Sequence, residues 1–132
     1  MKFFLDTDIC IYLINGKSQK LLSRLTRTDP EKVFVSSVTV FELEYGVQKS
    51  KRLAENSLAL AKFLSAIQVV PFDEEAARET AVLRVQLEQA GKPIGGYDLM
   101  IAGHARVSGA TLVTNNLREF NRVPGLTVTN WE

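Results

Sequence analysis

Met1-Lys2-Phe3-Phe4-Leu5-Asp6-Thr7-Asp8 is the stretch that decides the fold. A short apolar run, Phe3 to Leu5, stops at an acid, and a second apolar stretch, Ile9 to Ile14, follows at once. That order predicts a buried central strand whose end delivers Asp6 to a functional edge. In open α/β sheets ligands gather beyond the carboxyl ends of the strands, so an acid there is well placed for chemistry. Asp also caps helices, because its carboxylate accepts hydrogen bonds from the free N–H groups of a first turn. Asp6 and Asp8 each carry that plainer explanation beside the functional one.

Outward from this start, Ile9, Tyr12 and Leu13 recur at helical spacing, with Asn15-Gly16 as the stop. Lys17 to Arg27 reads as an amphipathic helix with a basic outer side, broken by Asp29-Pro30. Val33-Phe34-Val35 reads as a strand closed by Ser36-Ser37. Thr39 to Gln48 is helical, with Val38, Phe41 and Tyr45 on one stripe and Gly46 permitting close approach of a neighbour. Leu53 to Ile67 is a further helix with apolar surface from Leu58, Ala61, Phe63 and Leu64. Gln68 to Phe72 is a third strand. Asp73-Glu74-Glu75 opens the next helix with acids where its dipole favours them; it continues through Val82, Val85 and Leu87 to Gly91. After the loop Lys92 to Gly96, a helix runs from about Tyr97 to Val107. Ala110 to Thr114 is a strand, Asn116 to Phe120 a helical turn, and Leu126 to Val128 a last strand. Short apolar strands alternating with helices predict a three-layer α/β/α sandwich around a parallel sheet.

The chain has 132 residues, enough for one domain spanning 1–132 with a real core. Its formal net charge is +1, so any nucleic-acid contact needs a local basic patch. The single cysteine, Cys10, excludes an internal disulfide and a cysteine-built zinc site. There is no basic leader before the opening apolar run and no stretch near the roughly 18 apolar residues of a membrane span. The expected location is the cytoplasm, with no membrane partner.

Four junctions carry a carboxylate or amide toward the expected edge. They are Asp6 after the first strand, Glu42 early in the helix after the second, Asp98 after Gly95-Gly96, and Asn115, Asn116 and Glu119 after Thr114. Capping explains some of them singly: Thr39 with Glu42 fits a capping box, and Asn116 with Glu119 resembles one. Together they converge, because strand ends and helix starts meet at one edge of a parallel sheet. Carboxylates held close repel and raise one another's pKa unless a cation neutralises them. Hard oxygen donors suit Mg²⁺ or Mn²⁺, and such ions promote phosphodiester hydrolysis. Glu42 and Glu44 lie about 200° apart around a helix, so only one faces the site; Glu42 points to the body and Glu44 to solvent. His104, the one histidine, lies well round its helix from Asp98 and is set outside the site.

Leu5-Asp6-Thr7-Asp8-Ile9, Phe41-Glu42-Leu43-Glu44-Tyr45-Gly46, Pro93 to Ala102 and Leu112 to Phe120 together resemble PIN-domain proteins, and more narrowly VapC-type toxins of bacterial toxin–antitoxin pairs. The likeness spans essentially the whole chain. It implies a Mg²⁺- or Mn²⁺-dependent endoribonuclease built on a parallel sheet of about five strands. Its acidic set falls on Asp6, Glu42 and Asp98, with Asn116 or Glu119 in the fourth place. It also implies a homodimer, a cognate VapB-like antitoxin with higher assembly, and structured RNA as substrate, initiator transfer RNA foremost. One departure is Asp8, where the family usually carries Asn. That extra carboxylate either adds to metal binding or serves only as a helix-start acid.

In the mechanism this implies, Asp6 and Asp98 bind the metal and Glu42 orients or deprotonates the attacking water. Asn116 and Glu119 hold outer waters or a second ion. Lys49, Lys51, Arg52 and Arg118, or Lys20, Arg24 and Arg27, are the cations available to offset an acidic groove. Two rivals remain. Asp6-Thr7-Asp8 after a strand also suits a haloacid-dehalogenase-like phosphatase, with Thr114 as its second motif, but no Asp follows Asp98 to hold that family's Mg²⁺. The other rival is a non-catalytic PIN-like scaffold that binds RNA or protein without cutting.

Overall fold

The structure, a computed structural model, describes residues 1–132. Five short strands form one parallel sheet: β1 (Phe3–Leu5), β2 (Val33–Ser36), β3 (Gln68–Val70), β4 (Thr111–Val113) and β5 (Thr127–Thr129), in the order β3-β2-β1-β4-β5. β1 is central, pairing Phe3 with Val33 on one side and with Thr111 on the other. The chain first builds outward from β1 to β3 and then returns to lay β4 on β1's other edge. The order therefore reverses between β1 and β4, and a crevice opens beyond their carboxyl ends.

The seven helices are α1 (Thr7–Asn15), α2 (Gln19–Arg27), α3 (Ser37–Gln48), α4 (Leu53–Ser65), α5 (Glu74–Gln89), α6 (Gly96–Val107) and α7 (Leu117–Phe120). Alternation along the strands divides the core in two. Phe4 and Leu112 point to the layer that holds Leu83 and Ile101 of α5 and α6. Leu5 and Val113 point to the opposite layer, with Ile9, Leu21 and Leu60 of α1, α2 and α4. Both faces are covered, which is why the strands read as continuous apolar runs rather than as alternation. Each of these fully buried side chains contributes about 1.5–3 kcal/mol.

Local chemistry sets the helix ends. Asp6, Ser18, Ser36 and Asp73 each accept a first-turn N–H at the starts of α1, α2, α3 and α5. Gly16, at φ 65°, closes α1 in the left-handed region that favours glycine. The cap at Ser36 corrects the capping box expected from Thr39 and Glu42. The helix begins earlier, so Thr39 lies in the helix body, fully buried, and Glu42 is free of a capping role.

Several expected apolar faces are also corrected. α3 turns Val38, Thr39 and Leu43 inward and leaves Phe41 and Tyr45 exposed. In α4 the inward residue is Leu60, while Leu58 and Ala61 face solvent. In α5 the buried line is Ala76, Thr80, Leu83 and Leu87, with Val82 and Val85 outside. Gly46 has no close neighbour; the glycine that a tight approach requires is Gly103, where a Cβ would lie 2.3 Å from Thr80 Oγ1. No helix is long and apolar enough to cross a membrane.

Candidate active site at the carboxyl edge of the sheet

Asp6 follows β1 directly and its backbone N–H still bonds to Val113 at 3.1 Å, so the residue is held at the crevice between β1 and β4. Its side chain does two jobs. Oδ1 accepts the Ile9 N–H at 2.8 Å, and Oδ2 accepts the Thr114 hydroxyl at 2.5 Å. Capping and site wall are thus the same carboxylate. Thr114 in turn accepts the Asn116 N–H at 2.9 Å, fixing the turn that leads into α7.

Glu42 reaches the edge from α3. Its Oε1 accepts the Thr7 hydroxyl at 2.6 Å, and Thr39 Oγ1 lies 3.3 Å from Thr7 Oγ1. A hydroxyl has one proton, so Thr7 donates to Glu42 and receives from Thr39. Asp98 stands in the first turn of α6. Asn116 caps α7, accepting the Glu119 N–H at 3.3 Å and donating Nδ2 to Glu119 Oε2 at 2.7 Å. Asp6, Thr7, Asp8, Glu42, Asp98, Asn116 and Phe120 line one pocket of about 190 Å³. Four of the five expected site residues therefore meet there, and the fifth, Glu119, is bonded to Asn116 and acts on Asp98. Glu44 is exposed, as expected. Asp8 is exposed too, yet it borders the pocket.

The electrostatics follow from burial, with crowding added to it. Burial pushes Asp6 up to about 6, with the Asp8 and Glu42 charges adding to it, while the Thr114 and Ile9 hydrogen bonds pull it down. Burial likewise pushes Asp98 up to about 7, reinforced by the facing Glu119 carboxyl and by Glu42 and Asp6. Glu119 Oε1 is buried with no hydrogen-bond partner. A proton or a cation between such oxygens relieves both the repulsion and the orphaned atom. The donors are all hard oxygens and suit a divalent ion of the Mg²⁺ type. No three His, Cys, Asp or Glu side chains are grouped so that they could hold an ion by themselves. An ion here would have to be held by one or two carboxylates and complete its shell with water.

His104 belongs elsewhere. It is buried on α6, with Nδ1 2.8 Å from Ser36 Oγ and its ring edge-on to Phe4 and Phe72. Thr7 escaped the sequence reading as a site residue, and Thr114 entered it only as a motif of the rival phosphatase. Their common signal is a hydroxyl residue directly beyond a strand end, where a carboxylate also emerges.

Fold and pocket together define an α/β/α protein with a carboxylate-lined site at the switch point of a parallel sheet. The PIN domain family matches residues 3–126. The chain is 44% identical over 131 residues to the tRNA(fMet)-specific endonuclease VapC of Shigella flexneri, covering 99% of this chain and 98% of the relative. It is 40% identical, with the same coverage, to the protein of that name from Salmonella typhimurium. A chain in the crystal structure of DNA-bound VapBC from Salmonella typhimurium superposes with a TM-score of 0.95 at 40% identity, covering 100% of this chain and 99% of that one. A chain of VapBC2 from Rickettsia felis, bound to a promoter DNA fragment, gives 0.92 at 39%, covering 100% of each. This chain belongs to the PIN domain family, as its four motifs led us to expect. The phosphatase reading is not favoured: the carboxylates that meet Asp6 are Glu42 and Asp98, and the matched family is a different one.

Proposed function

We propose that this protein is the toxin of a type II toxin–antitoxin pair, an endoribonuclease that hydrolyses RNA phosphodiester bonds with Mg²⁺ or Mn²⁺. The observation that carries the reading is the convergence of Asp6, Glu42 and Asp98 in one pocket, with Asp6 and Asp98 driven toward protonation first by burial and then by the neighbouring carboxylates. Relatives named for ribonuclease and tRNA(fMet)-specific endonuclease activity support RNA, and initiator transfer RNA in particular. Neighbours solved as VapBC complexes support a VapB-like antitoxin as partner. Residues 1–132 act as one domain, and the working unit is a homodimer that assembles further with antitoxin.

Asp6 and Asp98 would hold the metal. A bound divalent ion supplies Lewis acidity to a phosphoryl oxygen and acidifies its water. Thr7 fixes Glu42 through Oε1, which leaves Oε2 to accept a proton from the attacking water. Thr114 and the Ile9 N–H hold Asp6 in one orientation, so its oxygens do not rearrange when charge changes. Asn116 and Glu119, bonded to each other, position outer water beside Asp98. Asp8 adds negative charge at the pocket rim.

The test is incubation of antitoxin-free protein with labelled initiator and elongator transfer RNAs, with Mg²⁺, Mn²⁺ or chelator, beside Asp98→Ala. Metal-requiring cleavage that is confined to initiator transfer RNA and lost in the variant is the expected result. Cleavage that persists in chelator or in the variant would sink the assignment of the site.

A further inference from the structure

We propose that Phe41 and Tyr97 form a stacking platform for an RNA base next to the cleaved phosphate, and that Tyr45 and Lys49 extend it as a track along α3. The proposal rests on the endoribonuclease reading and adds how the strand is held. Phe41 and Tyr97 immediately precede the pocket carboxylates Glu42 and Asp98 in sequence, and so sit at the start of the same turns. Their ring centroids are 5.4 Å apart at 56°, joining α3 to α6 beside the pocket. Both rings are about half open to solvent, at 52% and 49%. They are not there to fill a core, and large exposed aromatics grouped together mark a contact surface.

The direction of the track follows from helical spacing. Phe41, Tyr45 and Lys49 recur every four residues and so share one outer stripe of α3. Tyr45 is 59% exposed, and Lys49 Nζ lies 4.9 Å from its ring centroid. Lys51 and Arg52 follow directly; Arg52 is tied only by an exposed 3.7 Å pair with Glu55. Single-stranded nucleic acid is held in this way, by aromatic faces that take bases and cations that take phosphates. The pocket itself repels phosphate, and the chain's net charge of +1 provides no general attraction. Cations must therefore be local, and Lys49 lies against the Tyr45 ring, with Lys51 and Arg52 close behind it in sequence. A second copy of the chain docking on the same face would bury the Lys49 charge beside Tyr45, which makes a phosphate-bearing strand the better complement.

The experiment uses a single-stranded oligoribonucleotide spanning the bond that the enzyme cuts, with 2-aminopurine placed on either side of it. Binding is read in an Asp98→Asn background, which keeps the probe whole. Phe41→Ala/Tyr97→Ala is compared with the ring-preserving pair Phe41→Tyr/Tyr97→Phe, and folding is checked by thermal melting. In the parent and the ring-preserving pair, binding quenches the fluorophore beside the cleaved bond. In the alanine pair that quenching disappears and binding weakens on the order of tenfold. Equal quenching and affinity in a folded alanine pair overturn the platform alone, provided that the unmutated enzyme still cuts RNA. If the alanine pair instead turns a dimer into a monomer in sedimentation, the patch is an interface between copies and the platform is overturned. If the unmutated protein neither cuts nor binds RNA, the endoribonuclease reading falls first and the platform with it.

Discussion

Thr114 Oγ1 donates to Asp6 Oδ2 across 108 residues of chain, tying the end of β4 to the end of β1 at the point where the sheet changes direction. Both residues are buried, so this bond offsets part of the burial that raises the carboxylate's pKa and also fixes its place. Thr114→Val keeps the shape and removes the donor. Asp6 then titrates above its value of about 6, and stability falls by about 1–3 kcal/mol as a buried carboxylate loses its partner. Thr114→Ser restores both. Carboxyl NMR titration with urea melts reads the two effects; an unmoved Asp6 would refute the link.

Thr7 does the corresponding service for Glu42, at 2.6 Å. Thr7→Val is isosteric and leaves the fold in place, but it frees Glu42 to swing. If Glu42 handles the attacking water, kcat falls on the order of tenfold to a hundredfold with little change in KM. Thr7→Ser recovers most of it. Equal losses in kcat/KM through KM alone would assign Thr7 to substrate binding instead.

Metal-free protein should be least stable where the pocket is fully ionised. The folded pKa values of Asp6 and Asp98, about 6 and about 7, lie above their ordinary 3.8. Protonation of these groups therefore favours the folded state. That contribution is complete below pH 3.8 and is lost as pH rises through 6 and 7. Asp98→Asn removes much of the loss. Asp98 is only partly buried, so solvent screening reduces the gain, and the variant is stabilised by about 1 kcal/mol at pH 8 in chelator. Saturating Mg²⁺ or Mn²⁺ stabilises the parent by binding the native state and does little for the variant. Melting curves at pH 5 and pH 8, with chelator and with metal, test all four corners. A variant no more stable than the parent at pH 8 in chelator would contradict the account of burial and neighbouring charge.

How much of this was legible beforehand depended on what each residue answers to. β1, the helix stop at Gly16 and the acids at strand ends were readable because they are local: an apolar run, a left-handed glycine, an acid at a junction. The side on which Phe41, Tyr45, Val82 and Val85 lie was not, because apolar spacing gives a stripe without saying which stripe meets the sheet. Thr114 was visible as a strand end, but its partner Asp6 stands 108 positions earlier, beyond any local pattern. Gly103 was equally silent, since its necessity comes entirely from α5.

At that contact, Gly103→Ala should be among the most damaging small changes in the chain. The added Cβ would lie 2.3 Å from Thr80 Oγ1 and 2.9 Å from Thr80 Cα. The hydroxyl is itself committed, donating to Ala76 O at 2.7 Å, and the Cα is backbone. α5 and α6 must then separate, at a cost of about 3 kcal/mol. Thr80→Ala in the same background relieves the hydroxyl clash and leaves the backbone one, so rescue is partial. Full tolerance of Gly103→Ala in a urea melt would mean that the two helices pack less closely than described.

His104 provides a pH response of the opposite sign to the pocket acids. Burial among Phe4, Phe72 and Ser36 lowers its pKa from the ordinary 6.5, and Asp73 only partly offsets that. The unfolded chain takes up the proton first, so stability falls as pH drops below 6.5. Over the same range Asp6 and Asp98 become protonated and stabilise the fold, which masks the histidine in the parent curve. The difference between the parent and His104→Phe removes the shared acids and leaves His104 alone. Phenylalanine fills the same aromatic slot and does not titrate. The stability difference between the two should therefore shift in favour of His104→Phe as pH falls from 7.5 to 5. A pH-independent difference would mean that His104 titrates alike in the folded and unfolded chain, and that its burial carries no charge penalty.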